Sequence, residues 1–217
     1  MANIQDPVTG TQAEVDAATA SLRVVQRPAL GAALGSYAVS LQSGVMAAGL
    51  GAASEVFQFR YAGANLCLVE RVIFDGLGGI VAFTPGVAQF RLFISRSYTA
   101  SGSGGTAATL TTNNCKLRTS YATTGVADIR ISSTTGLTTP SGDVPDAQPM
   151  GSVIGYLGAV PALNLAEMRL YDAYSTGHPI ILAQNEGLIV QATVPATGTW
   201  TFGMSVRWSE ITAAEWA

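Results

Sequence analysis

Apolar and polar side chains alternate along the C-terminal part of the chain, from residue 199 to residue 208. The apolar positions are Trp200, Phe202, Met204, Val206 and Trp208, and threonine, glycine, serine and arginine fill the positions between them. Successive side chains of a strand point to opposite faces, so this stretch predicts a strand with one apolar face and one wet face. Such a strand is typical of an antiparallel sheet that packs on a second layer.

A second apolar stretch, residues 188–194, precedes the alternating strand, and the turn residues 195–198 separate the two. This order predicts a β-hairpin. Trp200 and Trp208 are expected in the core, where replacing either by alanine should destabilise the fold strongly. Arg207 falls on the predicted wet face, so Arg207→Ala is expected to destabilise the fold much less.

Further strand signals recur along the chain, with glycine, proline and asparagine between them. They cover residues 21–26, 37–42, 55–61, 66–75, 88–96 and 180–183, and residues 116–131 have room for two more short strands. Leu66, Leu68, Val72 and Phe74 are predicted to share one face. Strands at this spacing, without an amphipathic helix of full length, favour an all-β, antiparallel β-sandwich or jelly roll.

Two parts of the chain depart from the strand pattern. Residues 1–20 hold few large apolar side chains and enough alanine for two helical turns within 11–20, so we interpret 1–20 as an extended N-terminal arm that orders against a partner or stays mobile. Residues 21–217 are predicted to form a single β-sandwich domain. Within it, the proline- and glycine-rich residues 134–164 predict a long irregular excursion, which is typical of functional loops or of loops packed against a neighbour.

Charge is scarce in this chain: charged residues make up 12% and apolar residues 48% of the 217 residues, and the one lysine is Lys116. Two explanations stay open. Either neighbours in an assembly cover much of the surface, or serine, threonine and glycine make it polar without charge. The net charge is −3 and the arginines are scattered singly, so sequence-independent nucleic-acid binding is not expected. Neither a membrane-spanning apolar run nor a secretory signal is recognisable.

The two cysteines, Cys67 and Cys115, do not form a disulfide framework. Cys67 lies in an apolar predicted strand, where a free buried thiol is the usual state. For a chain made in a reducing cytoplasm, a disulfide between the two is the lesser alternative.

The sequence offers little catalytic or metal-binding chemistry. The one histidine, His178, is interpreted as a surface or loop-packing residue, because a Ser-His-Asp unit would have to be built around it. Residues 101–106 look like a phosphate-binding loop but lack its Gly-Lys-Ser/Thr ending, so we interpret them as the flexible tip of a small-residue loop, 99–114. Asp143 and Asp146 could ligate calcium, although their spacing matches no known calcium loop. We therefore predict no catalytic, cofactor-binding or metal-binding residues, and no cofactor.

Short segments spread over most of the chain carry a family resemblance. They are AEVD (13–16), SLRV (21–24), LGSY (34–37), EVFQFR (55–60), DIRIS (128–132), LAQNEGL (182–188), ATVPATGTW (192–200) and WSE (208–210). In these segments the chain resembles structural proteins of tailed-bacteriophage virions. The resemblance implies a non-enzymatic capsid decoration (cement) protein or head-fibre base that binds the major capsid protein or other virion proteins. Such proteins are often β-rich trimers, and the implied location is the virion, after synthesis in the host bacterial cytoplasm.

Three functional hypotheses can be compared on the residues. The first is a structural assembly protein, a homo-oligomer with a trimer favoured, because a closed cyclic oligomer buries apolar strand faces. The second is a virion receptor- or glycan-binding module, which exposed aromatic side chains on loops would favour. Tyr156, Tyr171 and Tyr174 are the loop aromatics that could serve, since Trp200 and Trp208 are expected in the core. The third is an enzyme, for which the sequence supplies no catalytic set.

Overall fold

The computed structural model describes residues 15–16, 21–22, 34–47, 49–51, 53–82, 84–140, 142–158 and 167–213. Nearly all of the regular structure in these ranges is strand. The strands are β1 (Val15–Asp16), β2 (Ser21–Leu22), β3 (Gly35–Gln42), β4 (Met46–Ala47), β5 (Ser54–Tyr61), β6 (Leu66–Val81), β7 (Gly86–Ser95), β8 (Thr106–Ala107), β9 (Val126–Ile131), β10 (Gly151–Leu157), β11 (Met168–Asp172), β12 (Ile180–Leu182), β13 (Glu186–Thr193) and β14 (Thr199–Ile211). The helix of this part of the chain, α1 (Ala173–Thr176), is a single turn.

Two large antiparallel sheets make up the sandwich, and β1 and β2 form a separate two-stranded sheet. The first sheet has the strand order β10-β7-β13-β5-β9-β8. The second sheet has the order β11-β6-β14-β3, with β12 paired to β6 and β4 paired to β14. One hydrophobic core contains residues of both sheets. The predicted all-β antiparallel sandwich is therefore confirmed, whereas the jelly-roll topology stays a prediction.

Aromatic rings fill the space between the two sheets. Phe74 of the second sheet lies 4.4 Å from Phe90 of the first, measured between ring centroids. Trp208 meets Phe59 edge-on at 5.3 Å, and Trp200 meets Phe90 edge-on at 5.8 Å. Edge-to-face and offset ring pairs at these separations add to the free energy gained from burial alone. The predicted apolar face of β14 is confirmed, because its five apolar side chains are at most 2% exposed.

The predicted C-terminal hairpin is wrong, although both of its strands exist. β13 pairs with β5 and β7 in the first sheet, and β14 pairs with β3 and β6 in the second. The turn at 195–198 therefore carries the chain from one sheet to the other. Alternation along a strand determines which face is buried, but it does not determine which strand becomes the hydrogen-bonding neighbour.

A β-bulge in β6 changes which side chains face the core. Trp208 pairs with Val69 and Arg207 pairs with Arg71, so Glu70 is an extra residue between the two pairs. An extra residue reverses the alternation of faces beyond it. Cys67 and Val69 join Val72 and Phe74 in the core cluster, whereas Leu68 is buried outside it. The prediction that Leu66 and Leu68 share a face with Val72 and Phe74 is therefore wrong.

Three sequence interpretations change in the regions between the main strands. The excursion 134–164 contains a complete strand, β10, whose glycines at 151 and 155 dilute its apolar alternation. Residues 116–131 hold one strand, β9, and not two. Val15–Asp16 is a strand paired with Ser21–Leu22, so the helical interpretation of 11–20 is wrong at those two residues. β1 precedes the predicted arm boundary at residue 20 and β2 follows it, so the two strands pair across that boundary. The rest of the predicted arm lies outside the described residues.

Two loops cover the outer face of the first sheet. Ser103 and Thr138 exchange backbone hydrogen bonds, and the Leu137 N–H donates to the Glu55 carbonyl at 2.7 Å. Gly102 is buried against the side chain of Gln58, where a Cβ atom would overlap the amide oxygen. The interpretation of 101–106 as a flexible tip is therefore wrong at these residues, which form part of a packed cover.

Arg207 lies on the wet face of β14, as predicted, with 44% of its side chain exposed. Its Nε nevertheless lies 2.8 Å from Oε2 of Glu70, whose side chain is fully buried. Removing one partner of a buried carboxylate leaves a charge without compensation. The expectation that Arg207→Ala destabilises the fold much less than the tryptophan variants stays a prediction, and loss of this ion pair adds a cost that the sequence pattern does not reveal.

We expect Trp200→Ala and Trp208→Ala each to lower the free energy of unfolding by about 3–5 kcal/mol, because each leaves a ring-sized cavity between the sheets. Thr201→Ala, on the outer face of the same strand, is the matched control and should change stability by about 0.5 kcal/mol or less. Urea unfolding of the three variants measures these differences. Equal losses in all three would contradict the one-sided burial of β14.

Candidate functional site

A groove of about 580 Å³ opens where the edge of the second sheet meets the first sheet. One wall comes from β11, α1 and the start of β12, and the other from the end of β7 and the loop before β10. The residues that line it include Ile94, Arg96, Met150, Arg169, Asp172 and His178. Its lining combines apolar side chains with charged and hydroxyl groups, a composition typical of binding surfaces.

Asp172 organises the wall that α1 forms. Its carboxylate caps the helix, accepting from the Tyr174 backbone N–H at 3.0 Å, and Gly177 ends the helix in the left-handed conformation at φ 77°. The same carboxylate accepts from Nη1 of Arg169 at 2.7 Å and lies 3.6 Å from Nη2 of Arg71. Asp172 is 5% exposed, and these partners compensate its charge within the fold. Its carboxylate thereby holds α1 against β11 and β6.

His178 lies in the loop between α1 and β12, on the wall of the groove, and is exposed. Its Nδ1 lies 2.6 Å from the Pro179 carbonyl oxygen, which places the Nδ1 proton on that contact. The Tyr171 and Thr176 hydroxyls both donate to the His178 carbonyl oxygen. These groups hold the loop in shape.

Asp143 and Asp146, the calcium candidates, have separate partners. Asp146 forms an ion pair with Arg96 at 3.0 Å, whereas the Ser95 hydroxyl donates to Oδ1 of Asp143. In the ranges that the structure describes, no three histidine, cysteine, aspartate or glutamate residues gather in a metal-binding arrangement. Burial raises the pKa of Asp143 to about 6, and the nearby charge of Glu55 contributes to the increase.

Glu55 belongs to a buried polar cluster beneath the loops of the first sheet. Gln58 Nε2 donates to its carboxylate at 2.6 Å, and the Thr139 hydroxyl donates at 3.0 Å. Both Glu55 and Gln58 are at most 5% exposed. Hydrogen bonds of this kind compensate the burial of a charge and fix the loops on the sheet.

Glu210 is another buried carboxyl. Glu210 accepts from the Thr124 hydroxyl at 2.5 Å and from the Gly125 N–H at 2.9 Å. Burial raises its pKa, and the hydrogen bonds oppose that increase.

Cys67 and Cys115 are both free, buried thiols, as expected for Cys67, and burial raises the pKa of each.

An apolar surface without charge lies along the edge strand β10. Ile154 and Tyr156 are each 62% exposed, and Val87, which pairs with Tyr156, is 50% exposed. Val153 and Leu157 point into the core from the same strand, so the alternation of faces is regular. The sequence interpretation missed this surface because glycines interrupt the pattern.

The tyrosines proposed as loop aromatics lie elsewhere than predicted. Tyr156 is on β10, Tyr171 is on β11, and Tyr174 is in α1, so none lies in a loop. Tyr156 and Tyr174 are exposed, at 62% and 53%. Trp200 and Trp208 are in the core, as predicted.

Comparison of the chain with protein-family models, with curated proteins and with solved structures finds no match. Within the described residues, no helix has the length and apolar character needed to cross a membrane.

The raised pKa of Asp143 gives a pH dependence of stability. Its folded-state pKa of about 6 exceeds the ordinary value of 3.8, so the folded state holds the proton more tightly. The contribution of Asp143 to the free energy of unfolding therefore falls as the pH rises between these values. We expect Asp143→Asn to be more stable than the parent above pH 6, with the gain disappearing near pH 4.

Asp146→Asn is the matched control, because Asp146 forms a partly exposed ion pair and should lose a little stability at neutral pH. Thermal melting across the pH range distinguishes the two variants. A neutral-pH gain in Asp146→Asn, or its absence in Asp143→Asn, contradicts the assignment.

Proposed function

We propose that this protein is a non-enzymatic structural component of a bacteriophage virion, a capsid decoration protein that binds the shell of major capsid protein as a homo-oligomer, with a trimer favoured. The family resemblance of the sequence supports the virion context. The observation that carries the assembly function is the exposed, uncharged edge of β10. Such a surface can contact a neighbouring copy or the shell.

Edge strands in monomeric proteins are normally protected against pairing. Charged side chains, prolines, bulges or very short strands provide that protection. β10 has seven residues and none of them is charged or proline. Its outward side chains include the exposed Ile154 and Tyr156, so this face of the strand is apolar within the described residues, while Gly151 at its start packs against Leu170 of β11. Exposed apolar patches of this kind favour an interface with another protein.

A closed ring of copies suits this surface. Three protomers around one axis bring three copies of the Ile154–Tyr156–Val87 patch together and leave the opposite sides of the molecules outward. The low charge of the sequence, 12% of residues, is consistent with a surface that neighbours cover in part.

We expect Ile154→Lys to weaken self-association by at least about tenfold, because a lysine at the centre of an apolar interface must be desolvated without a partner. Leu117→Lys is the matched control, since Leu117 is 52% exposed on a different part of the surface. Light scattering at several protein concentrations gives the oligomeric state. A parent protein that stays monomeric at micromolar concentration contradicts the proposed oligomer.

The virion assignment is tested separately by mass spectrometry of purified particles that carry this protein. Hundreds of copies per particle are expected for a decoration protein. About a dozen copies or fewer indicate a tail or vertex part, and absence from particles contradicts the assignment.

A virion receptor- or glycan-binding module is the second candidate, and the exposed Tyr156 and Tyr174 favour it. Tyrosine rings of this exposure can stack on sugar rings or on a receptor surface. Glycan-array binding that Tyr174→Ala abolishes, together with low copy number, would support this function over decoration.

A further inference from the structure

Two arginines lie directly opposite each other on the outer face of the second sheet. Arg71 of β6 and Arg207 of β14 are register partners, and 33% and 44% of their side chains are exposed. Their side chains line a groove of about 270 Å³ with Ala38, Ile73 and Ser205. Like charges at directly opposite positions destabilise a sheet. The fold therefore retains an unfavourable pair on a face that neutral residues could occupy.

Two carboxylates beneath the pair offset part of this repulsion. Glu70 is 0% exposed and contacts Nε of Arg207 at 2.8 Å, and Asp172 lies 3.6 Å from Nη2 of Arg71. Arg169, which is 55% exposed, also contacts Asp172. The exposed guanidinium groups of Arg169 and Arg207 and the half-buried one of Arg71 thus lie above two buried carboxylates. These five groups carry an excess of one positive charge at the arginine end, and the carboxylate of Asp75 lies further along the same face, bonded to Ser205.

The cluster is held in place before any partner arrives. The Tyr174 and Ser209 hydroxyls donate to Glu70, and the Tyr174 ring lies 5.4 Å from the guanidinium carbon of Arg71. The ion pair of Arg71 with Asp172 involves Nη2, at 3.6 Å. An arginine presents five N–H donors in a rigid fork, so donor capacity remains for an incoming anion.

We propose that the Arg71–Arg207 pair is a docking site for a glutamate or aspartate side chain on an extended acidic segment of a partner protein. Charge complementarity selects the carboxylate, because a carboxylate between the two guanidinium groups removes their repulsion and accepts charge-assisted hydrogen bonds. The inference stands on this cluster and does not depend on the virion assignment or on the β10 surface.

The shape of the surface favours a chain segment over a small molecule. Small-molecule sites enclose most of their ligand, whereas this groove lies open on a sheet face. Ser40 lines both this groove and a second depression of about 390 Å³, which extends over Gly76, Gly78 and Gly203. The two together form a track along the strands that an extended peptide can follow.

Asp75 limits where the acidic residue can lie. It lines the second depression and accepts hydrogen bonds from the Ser205 hydroxyl at 2.7 Å and from Ser40 at 3.4 Å. Its carboxylate repels a second acid at that point of the track. The acidic residue of the partner is therefore confined to the arginine end, and the residue over Asp75 is neutral or basic.

The test is binding of a labelled peptide to the full chain, measured by fluorescence anisotropy. The peptide carries two adjacent glutamates in a glycine–serine background, and a glutamine version serves as its counterpart. We expect the glutamate peptide to bind at least about tenfold more tightly than the glutamine peptide, with affinity falling as salt increases. Equal binding of the two peptides, or no binding of either, overturns the proposal.

Variants locate the binding on the protein. Arg71→Gln should weaken binding of the glutamate peptide by at least about tenfold, because it removes one of the two guanidinium groups. The variant is expected to fold, since Asp172 keeps its 2.7 Å contact with Arg169. Arg118→Gln, which removes an exposed arginine elsewhere, should leave binding unchanged. If Arg71→Gln melts like the parent and binds like the parent, the site is wrong. Competition by free glutarate at the peptide's own concentration indicates a small-molecule carboxylate site and also overturns the docking assignment.

Discussion

The packing of β14 between β3 and β6, with its tryptophan face on the first sheet, is the constraint on which the rest of the structure depends. Trp208 contacts Phe59 and Trp200 contacts Phe90, so the two ends of one strand join both sheets. Burial of these large rings gives a substantial local gain of free energy. Because that face is committed to the core, the opposite face of β14 is committed to solvent or to a partner.

The bulge at Glu70 connects this core to the charged outer face. Trp208 pairs with Val69 and Val206 pairs with Val72, so that all four side chains face the core. Between these pairs β14 has one residue and β6 has two, so β6 carries one extra residue. The extra residue is Glu70, whose side chain lies on the outer face. There it forms an ion pair with Arg207 and accepts a hydrogen bond from the Ser209 hydroxyl. The same shift brings Arg71 opposite Arg207. The arginine pair is thus a consequence of core register, which explains how two like charges come to face each other on a charge-poor molecule.

The sequence predicts what is local and misses what is distant. The two-residue alternation identified β14 and its buried face, and it placed β3, β5, β7 and β12, because a strand's pattern depends on its own residues. The partner of each strand is a long-range property, so the hairpin interpretation of β13 and β14 failed. The glycines of β10 concealed its strand for a related reason, since a residue without a side chain adds nothing to the pattern. The sequence did not reveal the buried cluster around Glu70 either, because its partner Ser209 lies 139 positions away along the chain.

The two surfaces that this structure singles out differ in chemistry and in position. The β10 edge is apolar and belongs to the first sheet, whereas the arginine pair is cationic and belongs to the second. Apolar surface gives affinity with little dependence on salt, and exposed charge gives orientation and association rate that salt weakens. Surfaces on opposite layers of a sandwich can be occupied at the same time. With both proposed contacts formed, the protein holds its own copies through the first sheet and an acidic neighbour through the second, which is the arrangement that the proposed oligomer on a larger assembly requires.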